Sequence, residues 1–376
     1  PLVVLKDVNK HFGDLHVLQD INLAVDKGEV VILIGPSGSG KSTLLRMLNG
    51  LLPATSGKVL VDGEDLTAMS DKQARHLRRR TMSMVFQHFA LFPHRTVVDN
   101  AAYGLQIQGV GKAERRAKAA RALELTGLAG WEDNMPGELS GGMQQRVGLA
   151  RALAAETDIL LMDEAFSALD PLIRRDMQDQ LNELQKNLNK TIIFITHDLD
   201  EAMRIGDRIA IMRDGRIEQI GTAREILDSP ANDYVQKFTQ DVDRTRVLTA
   251  ETVMDRQAPT VRSDALDDTW QQARSAHPGE PFIVVDADGR PVGVVGPGDA
   301  GHGSVTPPVD PDVVQVPTGA PLRSLFRRSA ATGHPLAVVD DEGLLRGSIT
   351  RVRLLGAAGE AVGASGQAPT NQEGDS

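Results

Sequence analysis

The chain has 376 residues, enough for two domains that each have a core of their own. A formal net charge of -10 with only 3% aromatic residues argues against a general nucleic-acid-binding protein built from basic patches and stacking rings. The absence of cysteine excludes disulfides and thiol chemistry, and every apolar run is too short to span a bilayer. We therefore expect any membrane role to come through a partner.

The first element with a chemical signature is a strand, a glycine-rich loop and a helix. The apolar strand Val30–Ile34 leads into "GPSGSGKST", and a helix with an apolar face follows, which is the context required of a phosphate-binding loop. Lys41 supplies positive charge and the Ser42 hydroxyl can bind Mg²⁺. This pattern predicts ATP or GTP binding. The predicted contacts are Gly35, Pro36, Ser37, Gly38, Ser39, Gly40, Lys41, Ser42 and Thr43.

The sequence "ELSGGMQQRVGLARAL" predicts a long amphipathic helix that begins at Ser140, Gly141 and Gly142. Free backbone N–H groups and the positive end of the helix dipole favour a phosphate at such a position. The chain therefore has two predicted phosphate sites.

Two further apolar strands end in polar residues. Ile159–Met162 is followed by Asp163 and Glu164, and "TIIFITHD" ends at His197 and an aspartate. Because consecutive strand residues point to opposite sides, we expect one carboxylate to bind Mg²⁺ through water and the other to position an attacking water. A histidine at a strand end is by itself more often structural than catalytic.

From about Val3 to Thr239, the order of the motifs resembles the ATPase subunit of ATP-binding cassette (ABC) transporters. The motifs are, in order, the phosphate loop, "MVFQ", "LSGGMQQR", "LLMDE", "SALD" and "ITHD". The resemblance implies an α/β P-loop NTPase fold with an antiparallel β subdomain and a helical subdomain at about 88–155. It implies an enzyme that hydrolyses ATP, with ATP and Mg²⁺ as cofactors.

The resemblance also implies individual roles. Phe12 would stack on adenine, the alternative being a core ring at a strand edge. Gln87 would contact Mg²⁺ and sense the membrane partner, the alternative being an ordinary loop amide. Glu164 would be the general base, and Asp170 would lie across a dimer interface. The implied catalytic residues are Glu164, His197 and Lys41. The implied metal ligands are Ser42, Gln87 and Asp163.

Partners follow from the same resemblance. Two copies would pack head to tail, so that the Ser140 helix of one copy caps the γ-phosphate held by Lys41 of the other. Integral membrane permease subunits would hold this homodimer at the cytoplasmic face of the inner membrane, and an extracytoplasmic solute-binding protein would act indirectly. The helical insert between the phosphate loop and Ser140 would contact the permease. Its clearest piece is 111–131, with Ala117, Ala120, Leu123 and Leu128 on one face. No nucleic acid is expected.

Within ABC transporters, "MVFQHFALFPHRTVVDNAAYG" and "DILLMDEAFSALDPLIRRDMQDQL" resemble the glycine betaine/L-proline (quaternary amine) uptake ATPases. The alternatives are a polar amino acid importer, which the segment Val8–Leu44 resembles, and a soluble ABC ATPase without a transport role. No residue of this subunit would contact the solute, so the sequence does not identify it.

The composition changes near residue 245. No lysine follows Lys237, and Thr249–Ser376 contains 10 arginines against 17 acidic residues. Pro281–Ala300 and Pro335–Leu355 share an apolar strand, a D-x-x-G turn and a second strand. They resemble a tandem cystathionine-β-synthase (CBS) module of α+β fold, predicted at 249–357, the alternative being two unrelated hairpins.

Such a module implies regulation by ionic strength or by a nucleotide. In the first repeat Asp299 is a candidate for contacting ribose hydroxyls, or else a helix N-cap, whereas the second repeat has Arg353 at the matching place. The segment 358–376 is small, polar and aperiodic, which predicts a disordered tail.

Overall fold

The structure is a computed structural model that describes residues 1–87, 89–242, 245, 248–296 and 307–363. It divides the chain into an N-terminal unit, Pro1–Thr239, and a C-terminal unit, Gln240–Ser376. No helix within the described ranges has the length and apolar character needed to cross a membrane.

The N-terminal unit begins with an antiparallel sheet in the order β2-β1-β4-β5. Apolar residues alternate along these strands, so one face packs on a core and the other meets solvent. The strands are β1 (Val3–Phe12), β2 (Leu15–Val25), β4 (Ser56–Val61) and β5 (Glu64–Asp65).

A second sheet, in the order β10-β9-β3-β8-β7-β6, forms the centre of this unit. All its pairs are parallel except β9 with β10, and the strands β3 and β8 are buried along their whole length. The carboxyl ends of the parallel strands therefore meet at one edge, where α/β folds bind ligands. The strands are β3 (Val30–Ile34), β6 (Met82–Val85), β7 (Ile159–Asp163), β8 (Thr191–Thr196), β9 (Arg208–Arg213) and β10 (Arg216–Gly221).

Ten helices are described in this unit: α1 (Lys41–Leu48), α2 (Asp71–Thr81), α3 (Val97–Ala101), α4 (Tyr103–Ile107), α5 (Lys112–Leu125), α6 (Gly141–Ala154), α7 (Pro171–Leu188), α8 (Leu199–Ile205), α9 (Ala223–Asp228) and α10 (Asp233–Phe238). Helices α3 to α6 share a core and form the helical subdomain. The predicted face of α5 is wrong in part, because Ala117 is exposed while Ala119, Ala122 and Leu123 are buried. Several alanines in one short helix give a weak periodic signal.

Helix α6 also differs from its prediction. It is not amphipathic: Val147 and Ala150 pack in the core of the helical subdomain, whereas Leu149 and Ala152 pack against the central sheet. A helix that is buried on both sides joins the two cores rigidly.

The C-terminal unit contains two small sheets with the same topology. In each sheet the first strand pairs parallel with the second, which pairs antiparallel with the third, and both antiparallel pairs have an irregularity at the same place. A hydrogen bond of 3.0 Å from Leu345 N, two residues after the second D-x-x-G turn, to Gly289 O, in the first such turn, joins the two repeats. The strands are β11 (Thr260–Arg262), β12 (Phe282–Val285), β13 (Pro291–Val295), β14 (Gln315–Pro317), β15 (Leu336–Val339) and β16 (Leu345–Ile349).

The helices of this unit are α11 (Ala250–Val253), α12 (Leu266–Ala276), α13 (Leu322–Ala331) and α14 (Arg351–Gly363). The apolar faces of α11 and α13 close a core with β15. Helix α14 extends through residues 358–363, so the predicted disorder is wrong for this part of the tail. Asp299 lies outside the described residues, as does the rest of the predicted tail.

Candidate active site

The glycine-rich loop joins β3 to α1 through backbone that only glycine adopts easily. Gly35 has φ 153° and Gly40 has φ 97°. A Cβ on Gly35 would lie 2.0 Å from the Met212 carbonyl oxygen, and one on Gly40 would lie 2.5 Å from Leu18 Cδ2. The loop is therefore packed closely against neighbouring backbone, while its outer residues Pro36–Gly38 are exposed.

Lys41 lies inside this loop as the first residue of α1. Its Nζ donates to the carbonyl oxygens of Gly35 at 2.7 Å and Pro36 at 2.8 Å. Burial lowers the pKa of Lys41, and the charges of Glu164 and Asp163 oppose that change. An ammonium group with little water around it interacts more strongly with an anion than an exposed one does.

Asp163 is the last residue of β7 and faces the start of α1. The Ser42 hydroxyl lies 3.4 Å from its Oδ1. Burial is the largest cause that raises the pKa of Asp163, and the neighbouring Glu164 raises it further. A hydroxyl and a carboxylate that converge in this way are a pair of ligands suited to Mg²⁺ together with nucleotide phosphates.

Asp163 and Glu164 contact different groups, as expected, but strand alternation is not the reason, because β7 ends at Asp163 and Glu164 does not continue it. The φ of Glu164 is 45°, a left-handed conformation that is rare for a residue other than glycine. Its backbone N–H donates to Ile195 O at 2.9 Å, which holds the turn against β8. The carboxylate Oε2 then lies 3.1 Å from His197 Nδ1. A strained backbone at a carboxylate–imidazole pair is typical of a functional site.

Gln87 reaches this turn indirectly. Its Nε2 donates to Ser167 Oγ at 3.1 Å, and the Ser167 hydroxyl donates to Glu164 O at 2.9 Å. Ser167 belongs to the "SALD" motif, but the sequence does not predict it as a site residue, because a serine in a turn carries no diagnostic signal.

Phe12 lies at the end of β1, and 49% of it is exposed. Lys10 Nζ lies 4.9 Å from the centre of its ring. The alternative that Phe12 is a core residue is therefore wrong, and one face of an aromatic ring is available to a planar ligand.

The second predicted phosphate site lies at the start of α6. The Ser140 side chain caps this helix by accepting from Met143 N at 3.4 Å, and Gly141 is exposed beside it. A Cβ on Gly142 would lie 2.6 Å from Ile173 Cγ2, so this glycine permits close packing of α6 on α7.

Asp170 belongs to the neighbouring helix α7. Its Oδ1 caps that helix by accepting from the backbone N–H groups of Leu172 and Ile173, each at 3.1 Å. The starts of α6 and α7 therefore lie side by side.

Comparisons with known proteins agree with this geometry. A family model described as ABC transporter matches residues 18–167. The glycine betaine transport ATP-binding protein OpuAA of Bacillus subtilis is 48% identical over 357 residues, which are 94% of this chain and 85% of that protein. The chain belongs to the ABC transporter ATP-binding proteins. As a member of this family it is an ATPase.

Other relatives of this ABC ATPase extend the comparison. The glycine betaine/carnitine transport ATP-binding protein GbuA of Listeria monocytogenes is 48% identical, over 93% of this chain and 90% of that protein. The dimeric structure of MJ0796, a bacterial ABC transporter cassette, is 35% identical with a TM-score of 0.54, over 58% of this chain and 98% of that one. A second dimeric structure of MJ0796, with the same values, is bound to ADP and Pi.

The structure of the ABC ATPase thus brings the predicted residues into two clusters. The first contains Lys41, Ser42, Asp163, Glu164 and His197, with Gln87 joined through a serine. The second contains Ser140, Gly141, Gly142 and Asp170. Within the described part of the chain, no hydrogen bond given above joins the two clusters.

Proposed function

We propose that this chain is the ATP-hydrolysing subunit of a bacterial importer of glycine betaine or a related quaternary amine. The names of its relatives support this substrate class over polar amino acids, because two glycine betaine transport proteins match at 48% identity over most of their length. The permease and an external binding protein would recognise the solute. The subunit would lie at the cytoplasmic face of the membrane.

The observation that carries the proposed chemistry is the contact of Glu164 with His197 at the edge of the central sheet. Glu164 accepts the proton of the attacking water, and His197 holds this carboxylate and contacts the γ-phosphate. The nucleotide phosphates bind the loop at 35–43, with Lys41 supplying charge, and adenine stacks on Phe12.

Ser42 and Asp163 would hold Mg²⁺, and Gln87 would reach it from the adjoining loop. Their convergence at 3.4 Å and their oxygen ligands fit this ion. When bound, Mg²⁺ neutralises phosphate charge.

The second cluster would act on the nucleotide of a second copy. Ser140, Gly141 and Gly142 expose a helix start that suits an anion, and the dimeric MJ0796 structures support a two-copy arrangement. In a head-to-tail homodimer this surface and Asp170 face the phosphate held by the other copy's Lys41. ATP then stabilises the dimer, and hydrolysis releases it.

A groove of about 250 Å³ between the helical subdomain and the central sheet would receive the permease. Its rim includes Phe86 and Ile107, which are about 40% exposed and offer apolar contacts that a monomer leaves uncovered. Arg151 lines the groove and donates to Phe89 O at 3.0 Å, which connects this surface to α6.

The C-terminal unit would act as a tandem CBS module that regulates the ATPase. The matched topology of its two sheets and the bond from Leu345 N to Gly289 O support a paired repeat over two unrelated hairpins. Arg353 donates to Val253 O at 2.7 Å, so this guanidinium serves the fold of the second repeat.

The variant Glu164→Gln tests the catalytic part of this proposal. Loss of a general base lowers a rate about 10²- to 10⁴-fold, while the phosphate loop is unchanged. We expect steady-state hydrolysis to fall by that factor, ATP binding to persist, and ATP to trap a dimer measurable by light scattering. Hydrolysis at the wild-type rate would contradict the role of Glu164.

A further inference from the structure

Arg174, in the first turn of α7, lies at the junction of two loops that carry predicted catalytic groups. Its Nε donates to Phe166 O at 3.2 Å. Its Nη2 donates to Ser167 O at 3.3 Å and to Leu169 O at 3.0 Å. Its Nη1 lies 3.5 Å from Asp198 Oδ2. One guanidinium therefore binds three carbonyls of one loop and a carboxylate of the other.

The first of these loops begins at Glu164. The left-handed backbone of Glu164 directs the chain out of β7. A few hydrogen bonds then hold the turn in place, including that from Ser167 N to Glu164 O at 3.1 Å. The carbonyls of residues 166, 167 and 169 all accept from Arg174, and the Phe166 carbonyl also accepts from Leu169 N at 3.2 Å. The position of this loop thus depends in part on the Arg174 side chain.

The second loop carries His197. Asp198 follows it directly and caps α8 by accepting from Glu201 N at 3.1 Å. The backbone N–H of Asp198 also donates to Thr196 Oγ1 at 3.0 Å. Because both sides of Asp198 are fixed, its contact with Arg174 relates the position of His197 to the position of α7.

The geometry of the contact needs arginine. A guanidinium presents five N–H donors in a rigid plane, whereas a lysine has a single ammonium group that cannot reach carbonyls on one side and a carboxylate on the other. Arg174 is 26% exposed and Asp198 33%, so water screens the pair only in part. This pattern of contacts does not involve the phosphate loop.

We propose that Arg174 is a positioning residue that sets the distance between Glu164 and His197. It acts through backbone and through Asp198, and it does not contact the nucleotide. This inference rests on the proposed function of the Glu164–His197 pair. It predicts that a change at Arg174 lowers the rate of hydrolysis but leaves the affinity for ATP nearly unchanged.

The test is the variant Arg174→Lys in the full chain. A misplacement of about 1 Å in a catalytic group costs up to about 100-fold in rate, so we expect kcat to fall about 10- to 100-fold. The Kd for ATP should change less than about twofold, because Lys41 and its loop are untouched. Arg175→Lys is the matched control, since Arg175 is the next residue of α7 and is exposed. Thermal unfolding of each variant reports on folding.

Asp198→Asn gives a second measurement. Asparagine still caps α8 but lacks the charge that Arg174 contacts. We expect the single variant Asp198→Asn to have a lower kcat than wild type. In the Arg174→Lys background the same change should lower kcat much less, because both substitutions break the same contact.

Three outcomes decide the inference. A folded Arg174→Lys protein with wild-type kcat would overturn it. Parallel losses of kcat, ATP affinity and thermal stability would assign Arg174 a purely structural role and would also overturn it. Glu164→Gln distinguishes failure of the proposed function from failure of the positioning role. If Glu164→Gln hydrolyses ATP at the wild-type rate, the proposed function fails. If Glu164→Gln is inactive while Arg174→Lys has wild-type kcat, only the positioning role of Arg174 is rejected.

Discussion

Burial shifts the pKa values of several residues in the N-terminal unit. It lowers the pKa of Lys41 and raises the pKa values of Asp163 and Glu201, in each case as the largest cause. Lys41 and Asp163 belong to the proposed site, but Glu201 does not. Only 4% of Glu201 is exposed, and its Oε1 accepts from Gln178 Nε2 at 2.9 Å.

Glu201→Gln should change the pH dependence of stability. Since the folded pKa of Glu201 lies above the unfolded one, the folded state binds more protons between the two values, and stability falls as pH rises through that window. Glutamine does not titrate. We therefore expect the variant to gain stability relative to wild type as pH rises through the window, with a constant difference above it.

Urea unfolding at several pH values measures this difference. Glu183→Gln, which removes an exposed carboxylate of α7, is the control. A difference between Glu201→Gln and wild type that does not depend on pH would contradict the prediction.

At the scale of elements, the packing of α6 against α7 decides where the second cluster lies. Gly142 allows Ile173 to approach the backbone of α6, and Asp170 caps α7 beside it. The glycines of "LSGG" therefore have two separate uses: Gly141 stays exposed, whereas Gly142 is buried at a helix contact.

Gly142→Ala should destabilise the N-terminal unit. The added Cβ would lie 2.6 Å from Ile173 Cγ2, a rigid branched side chain, and such overpacking costs about 1 to 3 kcal/mol. Urea unfolding of the monomer measures the cost. Gly141→Ala is the control, because its Cβ would lie 3.8 Å from Phe89 Cζ, an ordinary contact.

A second substitution makes the Gly142 prediction specific. Ile173→Ala removes the clashing atoms, so the double variant should be less destabilised than the two single variants added together. Simple additivity would show that Gly142 and Ile173 do not interact.

At the scale of the whole molecule, the chain consists of two units with cores of their own. Leu322, Leu336 and their neighbours form a core within the C-terminal unit, separate from the cores of the ATPase. A unit with its own core is expected to be removable without unfolding the other.

A chain that ends at Thr245 should keep ATP-driven uptake but lose its regulation. When it is reconstituted with its permease in proteoliposomes, we expect it to transport at low internal salt within about twofold of the full chain, since the residues proposed to bind and hydrolyse ATP all precede Thr245. The steep rise of transport with internal salt should disappear. An unchanged salt activation curve would show that the C-terminal unit is not the regulator.

The sequence by itself determined the family, the phosphate loop, the order of the strands that carry Asp163 and His197, and the paired repeats. These features depend on neighbouring residues, because a glycine loop, a buried strand and a turn each have a local signature. The tertiary structure decided what distant residues do. It turned Glu164 out of its strand and selected the buried face of α5. It also brought Ser167 and Arg174 against the loops that carry Glu164 and His197. Such contacts join residues far apart in the chain, and a single serine or arginine carries no pattern that announces its partner.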